Sequence, residues 1–153
     1  MADVAAPFRS VLVAVDGSPH AALALSRAIG LAQTDHARLT VMTVVPNVGE
    51  GAAASYVAVN PVALQHEADR EGERTLRAAV DTVPDDLPVR SLLRHGHAGP
   101  EIVAEIRASH HDVVVLGARG LGRIGSLAGS VSQYVLHHAK VAVFVAHAPP
   151  PAP

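Results

Sequence analysis

The chain has 153 residues, 49% of them apolar, with 12 basic and 14 acidic side chains and a formal charge of −2. That length suits one domain with a real core, and with no Trp, two Phe and two Tyr the core has to come from Val, Leu, Ile and Ala. The lack of cysteine excludes disulfides, thiol nucleophiles and Cys-ligated metal, the lack of a basic run or aromatic platform argues against nucleic acid as a partner, and no apolar run reaches the roughly 18 residues of a membrane helix.

The amino terminus, MADVAAPFRS, carries an acid early and has no apolar stretch of the signal-peptide kind. The expectation is a soluble, cytoplasmic protein with no membrane association. Val11 to Val15 form an unbroken apolar run that stops at Asp16-Gly17-Ser18-Pro19. This pattern predicts a strand, a turn, and a helix with a Ser cap and Pro in its first turn. Ala22, Leu25, Ile29 and Ala32 then recur at helical spacing as one packing stripe. A turn is expected around Thr34 to His36, and a second strand over Arg38 to Val45, whose LTVMTVV run suits the inside of a sheet.

Pro46 to Asn60 has no clear period and reads as a connection. Asn60-Pro61 caps a polar helix carrying Leu64, Ala68, Leu76 and Val80 that is expected to reach about Val83, weakened in the middle by Gly72 and closed by Pro84. Val89 to Leu93 is a third, more exposed strand. Gly99-Pro100-Glu101 opens a helix with Ile102, Val103 and Ile106 facing inward, and Asp112 precedes a fourth strand, Val113 to Leu116. A helix over Ser130 to His138 is expected to bury Val131, Tyr134 and Val135, and Val141 to Val145 is the fifth strand. Residues 1–146 then form one domain, and the proline-rich 147–153 form a disordered or extended tail.

Strands alternating with helices predict a mostly parallel, doubly wound α/β sheet. Ligands of such sheets sit beyond the carboxyl ends of strands, where the strand order reverses. Asp16 and Gly117 both stand at strand carboxyl ends. The stretch VVVLGARGLGRIGSLAGSVS, Val113 to Ser132, joins an apolar strand to a turn bearing Gly117, Gly120, Gly122, Gly125 and Gly129, then to Ser130 and Ser132 at a helix start. Glycines let backbone N–H groups crowd an anion, and the helix dipole favours phosphate. Read alone, Asp16 also fits a helix-entry residue, Arg119 a solvated loop arginine, and Ser130 an N-cap. Lys140 is the sole lysine and there is no Gly-x4-Gly-Lys-Ser/Thr sequence, which excludes a P-loop mechanism. The ten histidines offer no three-ligand spacing and read as solvated or capping groups. No Gly-x-Ser-x-Gly elbow marks a serine hydrolase.

Three separated segments in order, VLVAVDGS at the first strand, DVVVLGARG at the fourth, and Gly129-Ser130-Val131-Ser132 before the last helix, resemble the universal stress protein family and in particular its ATP-binding branch, over about Ser10 to Ala146. The resemblance implies a five-stranded parallel open sheet of order 3-2-1-4-5 with helices on both faces, and ATP between the ends of strands one and four. Carried over by motif, Ala14 and Asp16 would lie against the nucleoside and Val44 against the adenine. Leu116 would join the binding site, Gly117, Ala118, Arg119, Gly120, Leu121, Gly122 and Arg123 would wrap ribose and phosphates, and Gly129, Ser130, Val131 and Ser132 would complete the cradle. The divalent cation, Mg²⁺ or Mn²⁺, would be held mainly by the nucleotide, and no protein metal site is expected.

The branch signature resembles Gly-x2-Gly-x9-Gly-Ser/Thr, whereas Gly120 and Gly129 here enclose eight residues, Leu121 to Ala128. The resemblance further implies a homodimer through Val141 to Val145 and a nucleotide-dependent regulatory or interaction module in the stress response. A nucleotide-free dimeric scaffold of the same fold and a slow ATPase are the alternatives, and no catalytic residue stands out.

Overall fold

The computed structural model describes residues 5–49, 60–118, 129–149 and 152–153. β1 (Ser10–Ala14) is buried along its whole length. It pairs in parallel with β2 (Arg38–Val45) on one side and β4 (Val113–Gly117) on the other. β3 (Val89–His95) adds to β2 and β5 (Ala142–Ala146) to β4, again in parallel, which gives the order β3-β2-β1-β4-β5. This is the expected fold and order.

Side chains alternate across the sheet because successive residues of a strand point to opposite faces. Val11, Val13, Leu39, Val41, Val113 and Val115 pack on one face with Ala21, Ala24, Leu25 and Ala28 of α1 (Pro19–Asp35). Ala79 of α2 (Pro61–Val80) closes the same face. Leu12, Ala14, Met42, Val114 and Leu116 pack on the other with Ile102, Val103 and Ile106 of α3 (Ala98–Ala108) and Val135 of α4 (Ser130–His138). Two covered faces explain why the central strands read as unbroken apolar runs. Each fully buried Val or Leu adds about 1.5–3 kcal/mol of transfer free energy.

The caps act as the sequence predicts. Ser18 Oγ accepts the Ala21 N–H at 3.2 Å and Asn60 Oδ1 accepts the Val62 N–H at 3.0 Å, with Pro19 and Pro61 following them. Two expectations about α2 change. It ends at Val80, where Thr82 Oγ1 donates to the Ala79 carbonyl and starts a turn before Val83. Gly72 is a close-approach point, not a weak spot: it is buried, and a Cβ there would collide with Val45 Cγ2 and lie 3.3 Å from Leu93 Cδ1. The missing side chain lets α2 settle onto β2 and β3.

At the amino-terminal pole of the sheet, Asp112 ties β1 to β4 by accepting the Arg9 and Ser10 N–H groups at 2.9 and 3.0 Å. Beside it lies a buried polar network. Glu105 Oε1 accepts from Ser109 Oγ (2.6 Å) and Arg90 Nη1 (3.0 Å), and its Oε2 accepts from Arg94 Nη1 (2.8 Å). His111 lies 3.4 Å from Glu105 Oε1 through Nε2 and 2.8 Å from Ser10 Oγ through Nδ1.

Burial pushes the His111 imidazole below its ordinary 6.5, against the pull of Glu105. Burial alone would raise the Glu105 carboxyl, but the Ser109 hydroxyl, His111 and Arg90 outweigh it and hold the group below its ordinary 4.5. Both groups bind protons more readily in the unfolded chain, so the stability they contribute at neutral pH falls as pH drops. The His111 part is lost as pH falls below about 6.5 and the Glu105 part below about 4.5. Urea midpoints measured from pH 7.5 to 5 are therefore expected to fall with acidification, and His111→Gln to flatten that limb. An unchanged slope in the variant would assign the acid sensitivity elsewhere.

Candidate crevice at the carboxyl ends of β1 and β4

β1 connects to β2 on one side and pairs with β4 on the other, so the strand order reverses between β1 and β4. The crevice of an open α/β sheet lies at such a point. Its floor follows from the alternation of the strands. Ala14, Met42 and Leu116 are buried on the α3/α4 face, and Val44, two residues beyond Met42, is half-buried and packs on the same cluster.

Beyond β1 the chain is pinned before it turns. The Val15 N–H donates to the Met42 carbonyl at 2.8 Å and Thr43 Oγ1 donates to the Val15 carbonyl at 2.6 Å. Asp16 follows. Its Oδ1 accepts the Ser18 N–H at 2.9 Å, an Asx turn that Gly17 completes at φ +83°. Its Oδ2 is buried and has no hydrogen-bond partner among the described residues. The helix-entry role and a ligand role thus fall on different oxygens of one carboxylate.

On the facing side, β4 ends at Gly117, which lies against the first turn of α1. A Cβ on Gly117 would be 2.8 Å from the His20 carbonyl carbon and 2.9 Å from both the His20 oxygen and the Ala21 nitrogen. The Gly117 carbonyl accepts from Ser132 Oγ at 3.3 Å, and the Ala118 N–H donates to the Ala146 carbonyl at 2.9 Å. Gly129 takes φ +88° as the N-cap of α4, without a side-chain cap bond. A Cβ there would be 3.6 Å from the Ala118 oxygen, so Gly129 stands next to the residue that follows β4. Ser130 is exposed at the start of α4, Val131 half-buried and Ser132 buried.

Ala14, Asp16, Val44, Leu116, Gly117, Ala118 and Gly129 to Ser132 accordingly stand at the carboxyl ends of the central strands or at the start of α4. Arg119, Gly120, Leu121, Gly122 and Arg123 lie outside the described residues, as does the rest of the eight-residue spacing. Two features were not foreseen from sequence. The Ser132 hydroxyl donates to Gly117, which fastens α4 to β4. The Ala148 N–H donates to His20 Nδ1 at 3.1 Å, which brings the segment after β5 back to the start of α1 beside Gly117. Partners 15 and 128 residues apart leave no local signature.

Of the other histidines, His95 Nε2 lies 2.8 Å from Asp69 Oδ1, and the His138 ring stacks on Tyr134 with centroids 4.1 Å apart. Among the described residues, no group of three or more His, Asp or Glu side chains is arranged to hold a metal, and no helix is long and apolar enough to cross a membrane.

Comparison with known proteins agrees with this geometry. The model of the Universal stress protein family matches residues 7–147. A putative universal stress protein of Staphylococcus aureus (strain USA300) is 28% identical over 142 residues, covering 90% of this chain and 83% of the relative. The solved structure of the universal stress protein UspA from Lactobacillus plantarum superposes with a TM-score of 0.71 at 26% identity, over 93% of this chain and 99% of that one. A crystal structure of a universal stress protein in complex with cAMP superposes with a TM-score of 0.58 at 25% identity, over 92% and 98%.

Proposed function

Since the chain belongs to the universal stress protein family, we propose that it is an adenine-nucleotide-binding regulatory module of the stress response that takes ATP in the crevice between the ends of β1 and β4. The observation that carries this reading is Asp16 Oδ2, a buried carboxylate oxygen with no partner among the described residues. A polar atom in that position costs about 1–3 kcal/mol unless something donates to it. A nucleoside supplies such donors in its ribose hydroxyls and adenine amino group. The cAMP complex of a family member supports an adenine nucleotide as ligand.

In this reading Ala14, Val44 and Leu116 give the base and sugar apolar contact. The uncapped amides at the start of α4, Ser130 to Ser132, face phosphate together with the Ser130 hydroxyl and the helix dipole. Ser132 serves through its backbone, because its hydroxyl proton goes to Gly117. Gly117 to Arg123 would close around ribose and phosphates as the resemblance implies. Asp16 is a single carboxylate, so Mg²⁺ or Mn²⁺ would be held mainly by the phosphates. Two copies would pair through β5, the outer strand of the sheet, where Phe144 is 46% exposed.

Calorimetric titration of the folded protein with ATP and Mg²⁺ is expected to show one saturable site per protomer, with AMP binding more weakly because it forgoes the β- and γ-phosphate contacts. No heat from protein with an intact circular dichroism spectrum would leave the nucleotide-free scaffold as the better account. Phosphate release in step with occupancy would favour the slow ATPase.

A further inference from the structure

A second cavity lies at the opposite pole of the sheet, by the amino-terminal ends of β1, β2 and β3. Its volume is about 230 Å³, and its polar lining is Ser10, Arg38, Thr40, Arg90, Ser109 and His111. Pro88 and Val89 add an apolar wall. None of these residues belongs to the crevice at the carboxyl ends.

The ion pairs there leave one guanidinium of the lining over. Glu105 is shared by Arg90 and Arg94, and Arg94 also reaches Glu101 at 2.9 Å, so two carboxylates are matched by two guanidinium groups. Arg38 lines the same cavity and has no carboxylate partner among the described residues. Asp112, a further carboxylate at this pole, is taken up by the Arg9 and Ser10 N–H groups, so Arg38 is the guanidinium of this lining without a salt bridge among the described residues. The positive potential of Arg38 and Arg90 also reaches His111, where both oppose protonation.

The donor geometry suits an oxyanion. Arg90 uses Nη1 for Glu105 and Ser109, leaving part of its five-donor fork uncommitted, and its side chain is 53% exposed. Among the described residues nothing engages the Arg38 fork, which suits bidentate contact with a carboxylate or phosphate. Thr40 is a buried hydroxyl of the lining, the Ser10 hydroxyl is engaged with His111 Nδ1 at 2.8 Å, and Glu105 is committed to Arg90, Arg94 and Ser109.

We propose that this amino-terminal cavity is a binding site, separate from the nucleotide crevice, for a small oxyanion, with Arg38 and Arg90 clamping a phosphate or carboxylate group and Pro88 and Val89 covering any short apolar body it carries. A cavity of about 230 Å³ suits inorganic phosphate or a compact organic acid.

Two titrations of uniformly ¹⁵N-labelled protein at constant ionic strength test this, one with inorganic phosphate and one with butyrate. Saturable shifts confined to the amides of Ser10, Arg38 to Thr40, Val89, Arg90 and His111 are expected in at least one arm. Saturation with phosphate alone would identify a free-ion site, and tighter binding of butyrate a site for carboxylates with an apolar body. Arg38→Gln, an exposed change, should weaken that binding about tenfold or more without altering the melting temperature. Arg27→Gln, an exposed arginine of α1, should leave it unchanged. Shifts that chloride reproduces, that persist in Arg38→Gln, or that fail to saturate in both arms would overturn the proposal. Saturating ATP should not displace the anion, so this outcome does not depend on the crevice.

Discussion

Gly117→Ala is expected to lower the stability of the nucleotide-free protein by about 1–3 kcal/mol, the range for inserting atoms into a filled core. The added Cβ would meet three backbone atoms of His20 and Ala21 at 2.8–2.9 Å. Backbone cannot rotate away as the end of a side chain can. Either α1 lifts from the sheet or the end of β4 bends, and α1 is held by Ala21, Ala24 and Ala28, small residues that keep it close over its first three turns. Gly117 also accepts from Ser132, so movement of β4 loosens the start of α4. Urea denaturation measures the loss. Gly30→Ala is the matched control, because a Cβ there has nothing within 4 Å and should raise stability by about 0.5–1 kcal/mol. A Gly117→Ala protein that melts like wild type would show that α1 has room to spare. A drop would mean that weak nucleotide binding in any Gly117 variant has to be corrected for misplacement of α1 before it is read as a lost contact.

The fold was legible wherever the determinant is local. β2 and α4 have the bounds that the sequence predicts, and the Ser18 and Asn60 caps lie where hydroxyl and amide side chains precede proline. Legibility failed where the cause is a neighbour remote in sequence or an unusual backbone state. α1 runs through Asp35 and closes on His36 at φ +55°, a left-handed turn that glycine more often supplies; His110 after α3 and Lys140 after α4 do the same. Tyr134 has core spacing but remains 37% exposed: its ring covers Gly99, where a Cβ would come within 2.8 Å, and stacks on the His138 ring. The crevice divides in the same way. That Asp16 follows β1 and Gly117 closes β4 was visible in the apolar runs. That one oxygen of Asp16 is engaged and the other is not, and that Gly117 is as much a packing residue as a loop residue, depends on distances across elements that no spacing encodes.

Asp16→Asn should separate those two oxygens. Asparagine can keep the Oδ1 acceptor for the Ser18 N–H and so preserve the Asx turn, while an uncharged NH₂ replaces the buried, unpartnered Oδ2. The NH₂ is itself a buried polar group without a partner, so the exchange removes from the empty protein only the share of the desolvation cost that comes from the charge. The melting temperature without nucleotide should then stay level or rise. ATP affinity should fall, because the NH₂ presents a donor to the donors of the nucleoside; losing a hydrogen bond to a charged acceptor costs about 1.5–3 kcal/mol, roughly 10- to 150-fold. The gain in melting temperature on adding ATP should shrink with it. Asp16→Ala removes both acceptors, so it should lose the same affinity and, when empty, be about 1 kcal/mol less stable than Asp16→Asn through the lost turn. The pair of variants therefore distinguishes two accounts of one residue. Unchanged ATP binding in Asp16→Asn, with stability lost in Asp16→Ala alone, would leave Asp16 only the entry to α1. Lost binding in both, with an undiminished melting temperature in Asp16→Asn, would mean that the empty fold keeps a destabilising oxygen because the ligand needs it.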